Sequence, residues 1–232
     1  MATFEAQVDA LTGVGATLSS STVPKDTELD QFLKDGVLDV TRRCIEARPN
    51  EAFKFQRTVT SDSNGVDVQG ATIIGVMREA STDGSSYGTT AWRSCTLIDP
   101  TLQSRVVDSD SLYYASIYNP VYTIDENKAI YVFPVPSSDN GIKVFYVNNV
   151  PLDQTNGVAL VHTHNDIKYF PNDKVYLVVL YAAIKSLESK LSELTLTDED
   201  IELSQSLTNN LTILRNQYES AFVQMRPQQR QE

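Results

Sequence analysis

The chain has 232 residues, 41% of them hydrophobic and 21% charged, with 30 acids against 19 bases and a formal net charge of -11. That length and balance fit one large or two small folded domains and exclude a disordered chain. The acidic surplus repels phosphate backbones and argues against a nucleic-acid-gripping protein; it suits a surface that DNA slides past.

Thr3 is placed to cap a short helix whose apolar positions are Phe4, Val8 and Leu11, and Gly13 to stop it. Residues 13–22, rich in Gly, Ser and Thr, read as a surface connection. A second helix starts near Pro24 or Thr27, and Thr27 with Asp30 has the spacing of a capping box. Its stripe is Leu29, Phe32, Leu33, Val37, Val40 and Cys44, and Pro49 ends it. The period then changes. Phe53 and Phe55 alternate with polar neighbours, which predicts a strand. Further strands are expected at 71–78, 92–98, 121–124, 129–135 and 142–147, separated by turn chemistry at 61–65, Asp99-Pro100, Asn119-Pro120 and 125–127. Residues 81–90 read as a hairpin tip. Asn140-Gly141 predicts a hairpin between the last two strands. There is no strand–helix–strand rhythm of a nucleotide-binding sheet.

After a long connection at 151–170, Pro171-Asn172-Asp173 opens a helix in which Leu177, Leu180, Ile184, Leu187, Leu191 and Leu194 step by threes and fours. Val175, Val178, Val179 and Ala182 lie outside that stripe, so the start of this helix is expected to be the most buried helical segment. Thr197 and Asp200 form a second capping-box pattern. Leu207, Leu211, Leu214, Tyr218, Ala221 and Met225 then mark a partner helix, giving an antiparallel helical hairpin. The expected fold is α+β: a helical bundle from residues 1–50 and 168–225, an inserted antiparallel β-sandwich or barrel at 51–167, and a polar tail at 226–232 that reads as flexible on its own.

Nothing in the pattern points to catalysis. No nucleophile elbow, phosphate-binding glycine loop or dinucleotide fingerprint occurs. His162-Thr163-His164 on a strand would set two rings on one face, as a metal site needs, but only Asp166 lies nearby and a structural role is favoured. Asp108 and Asp110, beside Arg105, could form a carboxylate pair, and a solvated turn is the better reading. Cys44 and Cys95 read as separate buried thiols, which implies synthesis inside a cell. The first residues lack the pattern of a secretory signal, and the longest apolar run, 175–184, is too short to span a bilayer. Neither a cofactor nor a metal is expected. Tyr113, Tyr114, Tyr118, Tyr122, Tyr131, Phe133, Phe145 and Tyr146 combine core packing with interface chemistry, because tyrosine is enriched where proteins meet.

The strings Ser111-Leu112-Tyr113-Tyr114-Ala115-Ser116, Asn119-Pro120-Val121-Tyr122, Ile130-Tyr131-Val132-Phe133-Pro134 and Phe170-Pro171-Asn172, the last leading into Val178-Val179-Leu180-Tyr181-Ala182-Ala183, resemble virion proteins of tailed bacteriophages. The order of helices, inserted β domain and terminal helical pair is similar to the head-to-tail adaptor (connector) proteins, including the tail tubular protein A type. They are packing and turn residues, and no site residue comes over with them. The resemblance implies a non-enzymatic virion protein of the neck, made in the host cytoplasm. It implies a ring, twelve-membered in such adaptors, that joins the portal protein to a tail or nozzle protein, with duplex DNA passing through unbound and no membrane involved. On that reading Arg226, Pro227, Gln228, Gln229, Arg230, Gln231 and Glu232 are a portal-docking arm. Asp83, Gly84, Ser85, Ser86, Tyr87 and Gly88 are a tail-contacting loop. Glu188, Glu193, Asp198, Glu199 and Glu202 are an acidic channel lining, with plain solvent exposure as the simpler alternative for each. Two competing readings are another neck or tail protein, such as a completion or terminator protein, and a carbohydrate-binding β module on a trimeric helical stalk.

Overall fold

The computed structural model describes residues 2–13, 22–80, 92–136, 141–197 and 201–225, and these form two compact units. One comprises residues 1–55 and 150–232, the other residues 56–149.

The first unit is helical. Helix α1 (Phe4–Thr12) is followed by α2 (Asp26–Ala47), and later in the chain by α4 (Val175–Thr197) and α5 (Ile201–Met225). Helix α4 is the hub, with α1, α2 and α5 all packed on it. Its first half is apolar nearly all round, so it has surface for three partners: Val178, Val179, Leu180, Ala182, Ala183 and Leu187 are all at most 1% exposed. The predicted stripes of α2, α4 and α5 turn inward, with Leu33, Val40, Leu187, Leu211 and Leu214 in the core. Phe222, beside the predicted Ala221, is buried as well and meets Tyr218 edge-to-face with ring centroids 5.0 Å apart.

The predicted cap and the predicted stop of α1 are both present. Thr3 Oγ1 accepts the Ala6 N–H at 3.3 Å, and Gly13 closes the helix at φ 63°, a left-handed conformation that glycine adopts without strain. The start of α2 differs from the Thr27/Asp30 expectation. The capping box sits two residues earlier, with Lys25 as the N-cap, and the Glu28 carboxylate reaches back to the Lys25 N–H at 3.0 Å. Asp30 is one turn further in and is used elsewhere. The Phe53/Phe55 alternation is not a strand. Residues Pro49–Phe55 form a 3-10 turn, where Phe55 is buried edge-on against Phe170 at 5.4 Å while Phe53 points to solvent. Asp200, the partner expected for Thr197, lies outside the described residues.

The second unit is a sandwich of two four-stranded sheets, with no closed barrel among the described residues. Its strands are β1 (Gln56–Ser61), β2 (Val66–Asp67), β3 (Ile73–Glu79), β4 (Trp92–Ser94), β5 (Thr96–Leu97), β6 (Val121–Ile124), β7 (Ala129–Phe133) and β8 (Ile142–Val147). One sheet runs β1-β8-β3-β4 and the other β2-β7-β6-β5. Val76, Ile142 and Val144 from the first meet Val66, Ile130 and Val132 from the second in one core. The predicted single strand at 92–98 breaks at Cys95, so that the chain leaves one sheet and joins the other. Its second half pairs with β6 in parallel, the one exception to antiparallel order among the described pairs. The expected hairpin at Asn140-Gly141 is not one, because β7 and β8 lie in different sheets. The hairpin is β6–β7, where Asp125 accepts the Lys128 and Ala129 N–H groups.

The unit boundary also moves. Residues 150–167, expected with the β domain, belong with the helices, and Leu160 and Ile167 are buried there. Their turn carbonyls complete α1: the first two helical N–H groups, of Phe4 and Glu5, donate to His164 O at 2.8 Å and His162 O at 3.0 Å.

Candidate functional site

The two histidines sit in this turn, not on a strand. Asp30 Oδ1 accepts the His162 backbone N–H at 2.6 Å and lies 2.8 Å from its Nδ1. His164 Nδ1 accepts the Val161 N–H at 3.2 Å. Both rings are thus occupied in holding the turn that caps α1. No group of three His, Cys, Asp or Glu side chains arranged to hold a metal occurs among the described residues. Asp108 and Asp110 are exposed, and Asp108 Oδ1 accepts the Asp110 N–H at 3.0 Å in a local turn. Cys95 is buried beside Arg78, and burial pushes its thiol up to about 12 against the lowering pull of that cation, so it stays protonated at neutral pH. Cys44 is also a free, buried thiol.

Two buried charges mark one end of the sandwich. Arg78 is 4% exposed and donates through Nε to Pro134 O at 2.7 Å and through Nη1 to Glu79 O at 2.7 Å. Glu79 exchanges bonds with Gly141: its N–H donates to Gly141 O at 2.8 Å, and its Oε2 accepts the Gly141 N–H at 3.2 Å. Consecutive residues of β3 therefore pin both ends of the 134–141 connection. Buried charges are tolerated when their lone pairs and protons are used, so this is a structural clamp.

The acidic candidates are dispersed in their bonding. Glu188 holds Lys185 and Arg215, each at 2.8 Å. Burial pushes its carboxyl up, but these two cations together hold it below the usual range. Glu193 pairs with Lys190, and Glu202 is exposed in the first turn of α5. Asp198 and Glu199 lie outside the described residues, as do the 83–88 loop and the 226–232 arm. A pocket near Met225 is lined by Arg48, Lys54 and Lys174, but Arg48 and Lys54 are already bound to Glu51 and Arg48 Nε also donates to Met225 O.

The most distinctive surface is the excursion between β5 and β6. Asp99 caps a 3-10 turn at Pro100–Leu102 through the Thr101 N–H at 2.8 Å, and α3 (Gln103–Val107) follows. The Ala115 N–H donates to Val106 O at 2.9 Å, which closes the excursion on itself. Val106 and Ala115, both 2% exposed, anchor it on Val121 and Phe133. Turns based on Asp108, Ser111 and Ser116 brace the rest. What this scaffold holds outward is apolar: Leu112 is 103% exposed, Val107 and Tyr118 61%, Tyr113 55% and Tyr114 48%. Arg105 lies over the Tyr113 ring at 5.9 Å. A well-braced loop that presents large apolar side chains to water gains nothing from them in the isolated chain, and such patches mark contact sites.

The aromatic strings give the type of residue but not its exposure. Tyr113 faces water and Phe133 is buried, yet alternation alone does not tell them apart. The clamp of Asp39, Arg43 and Tyr218 between α2 and α5 has no local signal, since Asp39 and Tyr218 are 179 positions apart. No protein-family model matches this chain, and no curated protein matches it in sequence.

Proposed function

We propose that this chain is a structural, non-enzymatic protein of the tailed-phage neck, a head-to-tail adaptor whose copies form a ring between the portal and the tail. The observation that carries the reading is the braced excursion at residues 99–120. It offers Val107, Leu112, Tyr113, Tyr114 and Tyr118 as a ready contact surface, on a β unit inserted into a helical one. Support also comes from the string resemblance, the acidic balance that suits a channel DNA must not stick to, and polar residues that are consumed in structural bonds. On this reading the β unit, with its 83–88 loop, meets the next tail component, and the 226–232 arm docks on the portal. The protein resides in the virion.

The test is reconstitution. The purified chain mixed with portal should give a ring of about twelve copies, the number in such adaptors, when imaged by electron microscopy. Removing residues 226–232 should abolish portal attachment while circular dichroism stays unchanged. Failure of the full chain to bind portal would overturn the reading. The exposed tyrosines also favour a second reading, a carbohydrate-binding module. It requires binding to a glycan array that Tyr113→Ala and Tyr114→Ala abolish, and a trimeric mass.

A further inference from the structure

Helix α5 carries two stripes. The first, predicted from sequence, faces α4 and α2. The second is Ser206, Asn209, Ile213, Asn216, Ser220 and Val223, which step by 3, 4, 3, 4 and 3 along the helix. All six are exposed, Ile213 by 55% and Val223 by 65%. The steps are those of the core positions of a coiled coil. None of the six is charged. Of the 25 residues of α5 only Glu202, Arg215 and Glu219 carry charge, and the last two are engaged inside the protomer, on Glu188 and Arg43. An ordinary solvated helix face has the opposite composition, as α2 shows with nine charged residues in 22.

We propose that this stripe packs against the same stripe of a second copy, α5 beside α5, parallel and in register. The charge balance limits where a second copy can sit: two copies that each carry -11 repel one another over most of their surfaces, so self-association is confined to a face with few acids. The side chains select the occupant and the register. Asn amides are donors and acceptors at once, so Asn209 and Asn216 are each satisfied by their own counterparts only when the helices run parallel and unshifted. Ile213 and Val223 then meet themselves as the apolar layers. The flanking positions that face each other across such a seam, Gln205 with Asn210, Thr212 with Gln217 and Glu219 with Gln224, include one acid, Glu219, which faces a neutral amide, so no like charges are set together. Glu202 would meet Glu202, which ends the pairing at the first turn of the helix.

The proposal does not rest on the neck reading. A two-fold pair of copies is a different contact from the head-to-tail contact that closes a ring, and either can fail alone. The experiment uses the full chain. Analytical ultracentrifugation at micromolar concentrations should give a dimer, and Ile213→Glu, which sets two carboxylates in the centre of the seam, should weaken it by at least about 30-fold. Ile213 is exposed, so circular dichroism of Ile213→Glu should match the parent chain; Asn209→Lys serves as an independent second variant. Asn209→Cys and Asn216→Cys should each cross-link to themselves on mild oxidation, while Thr208→Cys, exposed but off the stripe, should not. A monomeric parent chain, a dimer indifferent to both charged variants, or cross-linking only at Thr208→Cys overturns the proposal. So does a stripe that becomes protected only when duplex DNA or another protein is added.

Discussion

Helices α2 and α5 both lay one face on α4, and their buried faces are alike: Leu29, Leu33, Val37 and Val40 on one, Leu211, Leu214, Tyr218 and Phe222 on the other. Their outer faces are not. Helix α2 carries six acids and three bases, helix α5 two acids and one base over a longer span. The inner faces obey the requirement every amphipathic helix meets, burial of an apolar stripe. The outer faces are free of that requirement, so their difference reports what each helix meets. Charge keeps α2 in water; α5 presents amides, hydroxyls and aliphatic groups at core spacing and shares with an interface core its low content of charge.

If the inner faces are equivalent, equal truncations should cost the same. Leu33→Ala and Leu211→Ala each leave a cavity in a packed core and should each destabilise the helical unit by about 3 kcal/mol. Urea denaturation followed at 222 nm measures this, and a cost for Leu211→Ala below about 1 kcal/mol would show that α5 is only loosely seated. Gly36 sharpens the α2 side. A Cβ there would come within 3.1 Å of Tyr181 Cδ1 and 3.3 Å of both the carbonyl oxygen and Cγ1 of Val178, so α2 and α4 meet at backbone distance. Gly36→Leu should cost about 2 kcal/mol by overpacking, despite the better helix propensity of leucine.

The two helices are also joined directly. Tyr218 donates to Asp39 Oδ2 at 2.7 Å, Arg43 Nε holds the same oxygen at 2.9 Å, and the Arg43 guanidinium lies 5.2 Å over both the Tyr218 and Phe222 rings. Tyr218→Phe should cost about 1.5 kcal/mol, the range for a hydrogen bond to a charged partner. Burial, and then the bond to Asp39, push the Tyr218 hydroxyl well above its ordinary range. The folded state therefore holds this proton more tightly than the unfolded one. That contribution is fully present below the ordinary tyrosine pKa and is lost as pH rises beyond it. The parent chain should lose more stability than Tyr218→Phe between about pH 10 and pH 12. Parallel alkaline slopes for the two would remove Tyr218 from the clamp.

What is legible in the sequence follows the range of the interaction. Thr3 and Gly13 are readable as caps because a cap is settled within four residues. The stripes of α2, α4 and α5 are readable because periodicity averages over whole helices. Asp30 mimics a cap in the sequence because its true partner, His162, is 132 positions away. The break of one strand at Cys95 and the placement of β7 and β8 in different sheets are decisions of the sandwich core, in which Val76 and Val132 compete for cover, and no local residue encodes them. The exposed apolar patch at Val107–Tyr118 is half legible: its tyrosines stand out in the string, but their exposure depends on which two side chains, Val106 and Ala115, become the anchors. The second stripe of α5 keeps the spacing of the first with different residues, two serines, two asparagines, an isoleucine and a valine, and only the structure shows every one of its positions in solvent.

The smallest expected effect separates the flank of α5 from its outer stripe. Arg215 is more than half exposed and bonds Glu188 at 2.8 Å. Exposed ion pairs of this kind contribute little, so Arg215→Ala should cost about 0.5 kcal/mol, and less in high salt. The substitution removes one of the few charges on α5 without touching the heptad positions. If the outer face is selected for its stripe, Arg215→Ala leaves pairing between copies unchanged, although it makes each copy more acidic. If pairing instead depended on net charge alone, Arg215→Ala would weaken it as Ile213→Glu does. Sedimentation of the two variants side by side decides which property of α5, its pattern or its charge, sets it apart from α2.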